Sequence, residues 1–158
     1  FGGSDQLELS QAEIPNAFED QVIIKNEAIG LNYIDIYFRT ALYPWPNQEE
    51  IKILGSEAAG TVTEIGAGVK HLKVGDRVVY VVPVGAYAEY VSVHSRHVAK
   101  IPDPVSFDTA AASLLKGITA YYLLHDTFSL KSGQTALVHA AAGGVGQLLG
   151  QWLSLIHI

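Results

Sequence analysis

The segment that most restricts how this chain can fold is Gln134-Thr135-Ala136-Leu137-Val138-His139-Ala140-Ala141-Ala142-Gly143-Gly144-Val145-Gly146. Residues 134–140 are a short, mostly apolar run with β-branched Thr135 and Val138, which predicts a buried parallel strand. Lys131-Ser132-Gly133 supplies a turn before it. Beyond the glycines, Val145, Leu148, Leu149 and Trp152 fall at i, i+3, i+4 and i+7, the spacing of one apolar helix face. A strand that runs through a glycine turn into a helix is the setting in which such a motif carries meaning. The first turn of a helix holds N–H groups without intrahelical acceptors, at the positive end of the macrodipole, and so attracts phosphate. Read as G-x-G-x-x-G, residues 141–146 match at Gly143 and Gly146, with Ala141 in place of the first glycine. Two readings follow. One is a dinucleotide site, which the flanking elements favour; the other is a tightly packed strand-to-helix turn with no ligand.

The rest of the chain has a different texture. Leu7 to Ser10 reads as a short strand leaving a glycine turn, and residues 22–29 as a longer one. Residues 33–39 predict a short helix, and Tyr43-Pro44-Trp45-Pro46 a loop, because proline stops both helix and ladder. That aromatic loop either lines a pocket for a flat ligand or caps the core, and composition alone favours the cap. Glycine-bracketed strands are expected at 55–66, 75–82, 85–93 and 98–101, a rhythm that suggests an antiparallel barrel. After Ile101-Pro102-Asp103-Pro104, Ser106 is a plausible N-cap for a helix through Leu115. Lys116-Gly117 is expected to interrupt that helix before a second one over 118–128. A β-rich block followed by helices and the start of a β–turn–α unit implies two domains, the second cut short.

Composition narrows the function classes. Hydrophobic residues make up 49% of the 158 and charged residues 16%, which is a globular balance. A net charge of −6 argues against a general nucleic-acid or anionic-membrane surface. No apolar run approaches membrane-spanning length, and a cytoplasmic protein is the expectation. The absence of cysteine removes disulfides, thiol nucleophiles and cysteine-ligated zinc. His94 and His97 are expected to point to opposite faces of a strand, and His139 to satisfy a local hydrogen bond at the end of the buried strand. Glu57, among small apolar residues, must be either buried with a partner or placed at a site. No methionine occurs, and one strand with one helix cannot bury each other's apolar faces, so the chain is expected to be part of a longer protein. Residues 153–158 back-translate to the end of a sequencing adapter; they are expected to be a non-native tail and are set aside.

Five stretches in this order carry a resemblance: Asn32-Tyr33-Ile34-Asp35-Ile36-Tyr37, Gly55-Ser56-Glu57-Ala58-Ala59-Gly60, Val74-Gly75-Asp76-Arg77-Val78, residues 110–119 and residues 139–146. Over nearly all of residues 1–152 the chain resembles the quinone oxidoreductase, zeta-crystallin-like branch of the medium-chain dehydrogenase/reductase superfamily. Relative to that family it lacks the first strand and most of the second domain. The resemblance implies a mixed α/β fold: a GroES-like antiparallel β-barrel domain over 1–117, then the beginning of a Rossmann dinucleotide-binding domain over 118–152. It implies NADPH bound between the two domains, and zinc-independent hydride or electron transfer to a quinone or related α,β-unsaturated carbonyl. Zinc-dependent cousins carry Cys where Asn32 stands and His where Ser56 stands, beside a Glu that matches Glu57, which makes Glu57 a structural or hydrogen-bonding remnant.

The matching motifs also carry residue roles. Asn32, Tyr33, Ile34, Asp35 and Tyr37 are expected to face the nicotinamide end of the cofactor. Lys116, Thr119 and Tyr122 approach it from the connecting helices, and Gly143, Gly144, Val145 and Gly146 hold the pyrophosphate. Asn32, Thr119 and Lys116 have the polar groups to fix a carboxamide. Tyr37 and Tyr43 suit a flat quinone, and Tyr43 is the candidate proton donor. A homodimer is expected at full length, with no nucleic-acid or membrane partner. Two alternatives stay open: an enoyl reductase of the same superfamily, and a crystallin-like protein that binds cofactor with little catalysis. The position that distinguishes NADPH from NADH lies about 20 residues past the glycine motif, beyond residue 158. The 158-residue chain alone is expected to bind NADPH poorly.

Overall fold

The computed structural model describes residues 1–47 and 51–155. It divides into two compact units, Phe1–Ala112 and Ser113–Ile158. The first is built on five antiparallel strands, β1 (Gln21–Gly30), β2 (Glu57–Ile65), β3 (Arg77–Val81), β4 (Tyr90–His94) and β5 (Val98–Lys100), in the order β4-β1-β2-β3-β5. A short helix, α1 (Tyr33–Arg39), separates β1 from β2. A sixteen-residue helix, α2 (Phe107–Tyr122), follows the sheet, and α3 (Gly144–Leu155) closes the described chain. This is a mixed α/β arrangement on an antiparallel sheet, as the strand rhythm predicts. Among the described residues no helix is long and apolar enough to cross a membrane.

β-branched side chains of β1, β2 and β3 form the core. Val22, Ile24, Val62 and Val78 are buried with Tyr80 and Val93 in one cluster, each aliphatic contributing about 1.5–3 kcal/mol by leaving water. The register of β1 against β2 shifts between Asn26 and Ala28, and Asn26 explains the irregularity. Its Nδ2 donates to the Ala86 and Ala88 carbonyls at 3.1 and 2.8 Å, while its Oδ1 accepts from the Tyr80 hydroxyl at 3.0 Å. One amide thus ties the bulge to the loop before β4, as bulges commonly re-aim a strand. That loop is why the strand expected over 85–93 begins only at Tyr90. Ala86 and Tyr87 donate their N–H groups to Gly55 and Leu54 carbonyls outside any ladder.

At the other end of the sheet Asp76 accepts from Lys100 Nζ at 2.8 Å and from the Lys73 N–H at 2.9 Å. The Lys100 ammonium holds the Asp76 carboxyl below its usual range. A depressed folded pKa stabilises the fold fully above the ordinary carboxylate pKa of about 4, and the contribution disappears as pH falls through the lower folded value. Because Lys100 is half-exposed, Asp76→Asn is expected to cost about 1 kcal/mol at pH 7. Urea unfolding of both proteins at pH 7 and pH 2 checks this, since the gap must close at the acid end.

Several expectations are corrected. Leu7 to Ser10 forms no ladder; the nearest element is the 3-10 turn Ser4–Gln6, and Leu9 is fully exposed. Alternation without a partner strand does not make a strand. The Ser106 cap is present, its hydroxyl accepting from the Thr109 N–H at 3.1 Å, but Lys116-Gly117 does not break the helix. α2 runs unbroken through both, since a helical glycine costs only about 1 kcal/mol. The helix expected over 118–128 is present as the last residues of α2 and a π-helical turn, Leu123–Thr127, that continues it, with no break before it. His94 and His97 face each other with ring centroids 6.2 Å apart, because a 3-10 turn, Ser95–His97, replaces strand between them.

In the second unit, residues 134–140 lie in no strand; Leu137 is 84% exposed and His139 is exposed. Apolar content predicts that a segment will be covered but not by what, and a parallel strand exists only through its ladder partner. Among the described residues every ladder belongs to the antiparallel sheet. The helix after the glycines does form, and Trp152 on α3 packs against Tyr121 and His125 with centroids 5.8 and 5.6 Å apart. Of the expected tail, Leu153, Ser154 and Leu155 lie in α3 and residues 156–158 fall outside the described residues.

Candidate functional site

In the first unit the site residues gather at the start of α1. Asn32 is the N-cap in extended backbone, and Asp35, three residues on, reaches back to it. The Asp35 N–H donates to the Asn32 backbone carbonyl at 3.1 Å, and the Asn32 N–H donates to Asp35 Oδ2 at 2.9 Å. The Asn32 side-chain nitrogen, Nδ2, donates to Glu57 Oε1 at 2.8 Å. Asp35, itself buried, also accepts from the Ser56 hydroxyl at 3.1 Å and the Tyr87 hydroxyl at 2.9 Å. Burial first, and then the bond to Asp35, pushes the Tyr87 phenol well above its ordinary pKa, so Tyr87 stays protonated and keeps donating. Glu57 is completely buried at the first residue of β2. Two carboxylates that would be costly in isolation are each met by donors placed by β2, the Tyr87 loop and the helix cap.

With its polar side anchored, α1 presents the other. Tyr33 is 77% exposed, Ile36 is exposed, and Ile34 and Tyr37 are half-buried. Tyr43 folds back so that its ring stands 5.3 Å from Tyr37 and 6.0 Å from Phe38, and its N–H donates to the Tyr37 carbonyl at 3.1 Å. Trp45 adds an edge contact to Phe38 at 5.9 Å. The aromatic loop therefore caps α1 and still leaves the exposed Tyr43 ring beside Tyr37.

In the second unit the glycine turn has the geometry its motif implies. Ala140 sits in the left-handed region at φ 52°, and the Gly143 N–H donates to its carbonyl at 2.9 Å. A Cβ on Gly146 would strike that same carbonyl oxygen and fall 2.7 Å from the Ala141 Cα. The position thus needs a residue without a side chain, the close-packing part played by the last glycine of the motif. The first helical bond of α3 runs from the Gln147 N–H to the Gly143 carbonyl at 2.9 Å. The N–H groups of Gly144, Val145 and Gly146 therefore precede the helical ladder, as phosphate-binding donors do. Lys116 reaches this turn from α2: a Cβ on Gly144 would meet its Cδ at 2.7 Å and its Cε at 3.0 Å. Thr119 commits its hydroxyl hydrogen to the Leu115 carbonyl at 2.8 Å, and Tyr122 is exposed at the end of α2.

The named residues thus form one group in each unit: Asn32, Tyr33, Ile34, Asp35 and Tyr37 with Tyr43, and Lys116 with Gly143, Gly144, Val145 and Gly146. Thr119 and Tyr122 lie on the helix that carries Lys116. Sequence reasoning missed Tyr87. Nothing in the Gly85-Ala86-Tyr87 run distinguishes it from a strand residue, and its pairing with Asp35 spans 52 positions. Among the described residues no group of three or more His, Cys, Asp or Glu side chains is placed to hold a metal ion.

Residues 19–103 match the alcohol dehydrogenase GroES-like domain. The chain is 45% identical over 152 residues to quinone oxidoreductase 1 of Escherichia coli K12, an alignment that covers 96% of this chain and 46% of that protein. It is 47% identical over 153 residues to a probable quinone oxidoreductase of Schizosaccharomyces pombe, with the same coverage of 96% and 46%. The crystal structure of E. coli quinone oxidoreductase complexed with NADPH superposes with a TM-score of 0.93 at 44% identity, over 98% of this chain and 47% of that one. The chain therefore spans about half the length of the relatives it matches.

Proposed function

This chain belongs to the alcohol dehydrogenase GroES-like family, on the quinone oxidoreductase branch of the medium-chain dehydrogenases and reductases, and from that premise we propose that the protein carrying it reduces quinones or related α,β-unsaturated carbonyls with NADPH and without zinc. The observation that carries the reading is the turn at 140–146, closed by Gly143 and Gly146 so that three backbone N–H groups open at the start of α3. These donors suit a pyrophosphate, and the Lys116 side chain lying across Gly144 brings a cation to the same place. When bound, NADPH supplies the hydride, and the residues of this chain bind and orient. Tyr33, Ile34 and Tyr37 offer the exposed face of α1 to the nicotinamide end, Thr119 and Tyr122 contribute from α2, and Tyr43 beside Tyr37 suits a flat acceptor and is the candidate proton donor. The zinc-free reading draws on the side chains at the two positions where zinc-dependent cousins carry ligands. Asn32 and Ser56 are amide and hydroxyl, and both are engaged with carboxylates.

The test uses the full-length protein with NADPH, a panel of benzo- and naphthoquinones, and an enoyl thioester. NADPH oxidation that depends on quinone, persists in chelator and does not occur with the enoyl thioester is expected. Turnover of the thioester alone would identify an enoyl reductase, and NADPH binding with no acceptor reduced would identify the crystallin-like alternative. Size-exclusion chromatography of the same preparation is expected to show a homodimer.

A further inference from the structure

We infer that Glu57 is a positioning residue: through the Asn32 amide it clamps the start of α1, and so sets the face that the helix offers to the cofactor. The inference rests on the proposed placement of α1 against the nicotinamide. Glu57 is wholly buried, and among the described residues it belongs to no group of three or more His, Cys, Asp or Glu placed to hold a metal ion. It pairs in register with Gly30, the last residue of β1, and Asn32 follows two positions later as the cap of α1. The turn between strand and helix is therefore very short, and the Asn32–Glu57 bond of 2.8 Å fastens it at its midpoint. Gly30 completes the seat. A Cβ there would collide with the Glu57 side chain and with the Ala111 carbonyl of α2, so the carboxylate is sealed between strand end and helix.

The division of labour within Asn32 makes the clamp specific. Its backbone carbonyl and N–H serve Asp35, and its side-chain nitrogen serves Glu57. An amide is suited to this place because it caps a helix and its NH2 donates to a carboxylate. The Asn32 amide nitrogen is thus engaged inside the protein, which assigns it to holding α1. Asp35 secures the same turn from the opposite side through Ser56 and Tyr87.

A polarity swap in the full-length protein tests the clamp. Asn32→Asp keeps a good N-cap but sets two carboxylates against each other at the Glu57 contact. It is expected to lower kcat/KM with NADPH by roughly tenfold to a hundredfold, as misplacing a positioning element does, and to speed hydrogen exchange across Tyr33–Arg39 while the sheet amides are unchanged. Adding Glu57→Gln restores the pair with donor and acceptor reversed, and is expected to recover most of both losses. If Asn32 instead touches the cofactor, the double variant recovers slow exchange but stays as weak in kcat/KM as the single one, and the positioning role is overturned. If Asn32→Asp leaves exchange over α1 unchanged, the clamp itself is overturned. Failure of the wild-type protein to bind NADPH would remove the cofactor reading alone, because hydrogen exchange in the cofactor-free protein still decides the clamp.

Discussion

Asp35→Ala is expected to cost roughly 3–5 kcal/mol of folding stability, more than any other single side-chain truncation at the site. The carboxylate receives hydrogen bonds from the Asn32 N–H, the Ser56 hydroxyl and the Tyr87 hydroxyl, at 2.9, 3.1 and 2.9 Å. Each donor left unpaired out of water costs about 1–3 kcal/mol. The three will not contribute equally. Ser56 has a second acceptor in the Pro83 carbonyl at 3.1 Å and can turn fully toward it, so its loss is small. The Asn32 N–H, whose bond to Asp35 caps the start of α1, and the Tyr87 phenol carry most of the expected penalty. Asp35→Asn keeps one carbonyl oxygen in place and is expected to cost about 1–2 kcal/mol. Tyr87→Phe removes a donor without stranding the carboxylate, which keeps its other bonds, and should cost about 1 kcal/mol. Urea unfolding of the three variants gives the ranking. A loss below 1 kcal/mol for Asp35→Ala would mean that the network carries no stability.

How much of this was legible in the sequence depends on the range over which each feature is determined. The strand at Val22-Ile23-Ile24 and the helix at Tyr33–Arg39 were readable because their determinants are local: apolar pattern, a capping Asn and an Asp three residues on. The expectation that Asn32 and Ser56 stand where zinc-dependent cousins carry ligands comes from motif resemblance, and the structure adds the carboxylates these two side chains meet. Tyr87 was invisible because its role exists only once a loop from far along the chain folds over α1. The segment 134–140 was misread for a related reason. Its composition is that of a covered strand, but the ladder that makes a strand is a property of its neighbours. The break expected at Lys116-Gly117 fails in the opposite sense: one helical glycine costs only about 1 kcal/mol, too little to end a sixteen-residue helix. The glycine turn is legible from local pattern, while Lys116, 28 residues earlier on α2, is named by the resemblance and not by any local signal.

That turn is where a single methyl-bearing carbon should have the largest functional effect. Gly146→Val is expected to weaken NADPH binding to the full-length protein by about a hundredfold or more, which corresponds to about 2.7 kcal/mol. The reason is backbone against backbone. The new Cβ would strike the Ala140 carbonyl oxygen and the Ala141 main chain, and neither can swing away as a flexible side chain would. Relief requires the turn to open. Ala140 already holds φ 52°, and its carbonyl is the acceptor that closes the turn through Gly143, so opening moves the Gly144, Val145 and Gly146 N–H groups together. A phosphate site built from several aligned donors loses most of its affinity when they are displaced as a set. Gly150→Val is the control. It lies on the same helix, carries the same β-branched penalty, and its Cβ would meet nothing within 4 Å. Fluorescence titration with NADPH separates the two substitutions: binding near wild type for Gly150→Val and strongly weakened binding for Gly146→Val. Equal affinities would leave the turn as packing alone, and the dinucleotide reading of 141–146 would have to be given up.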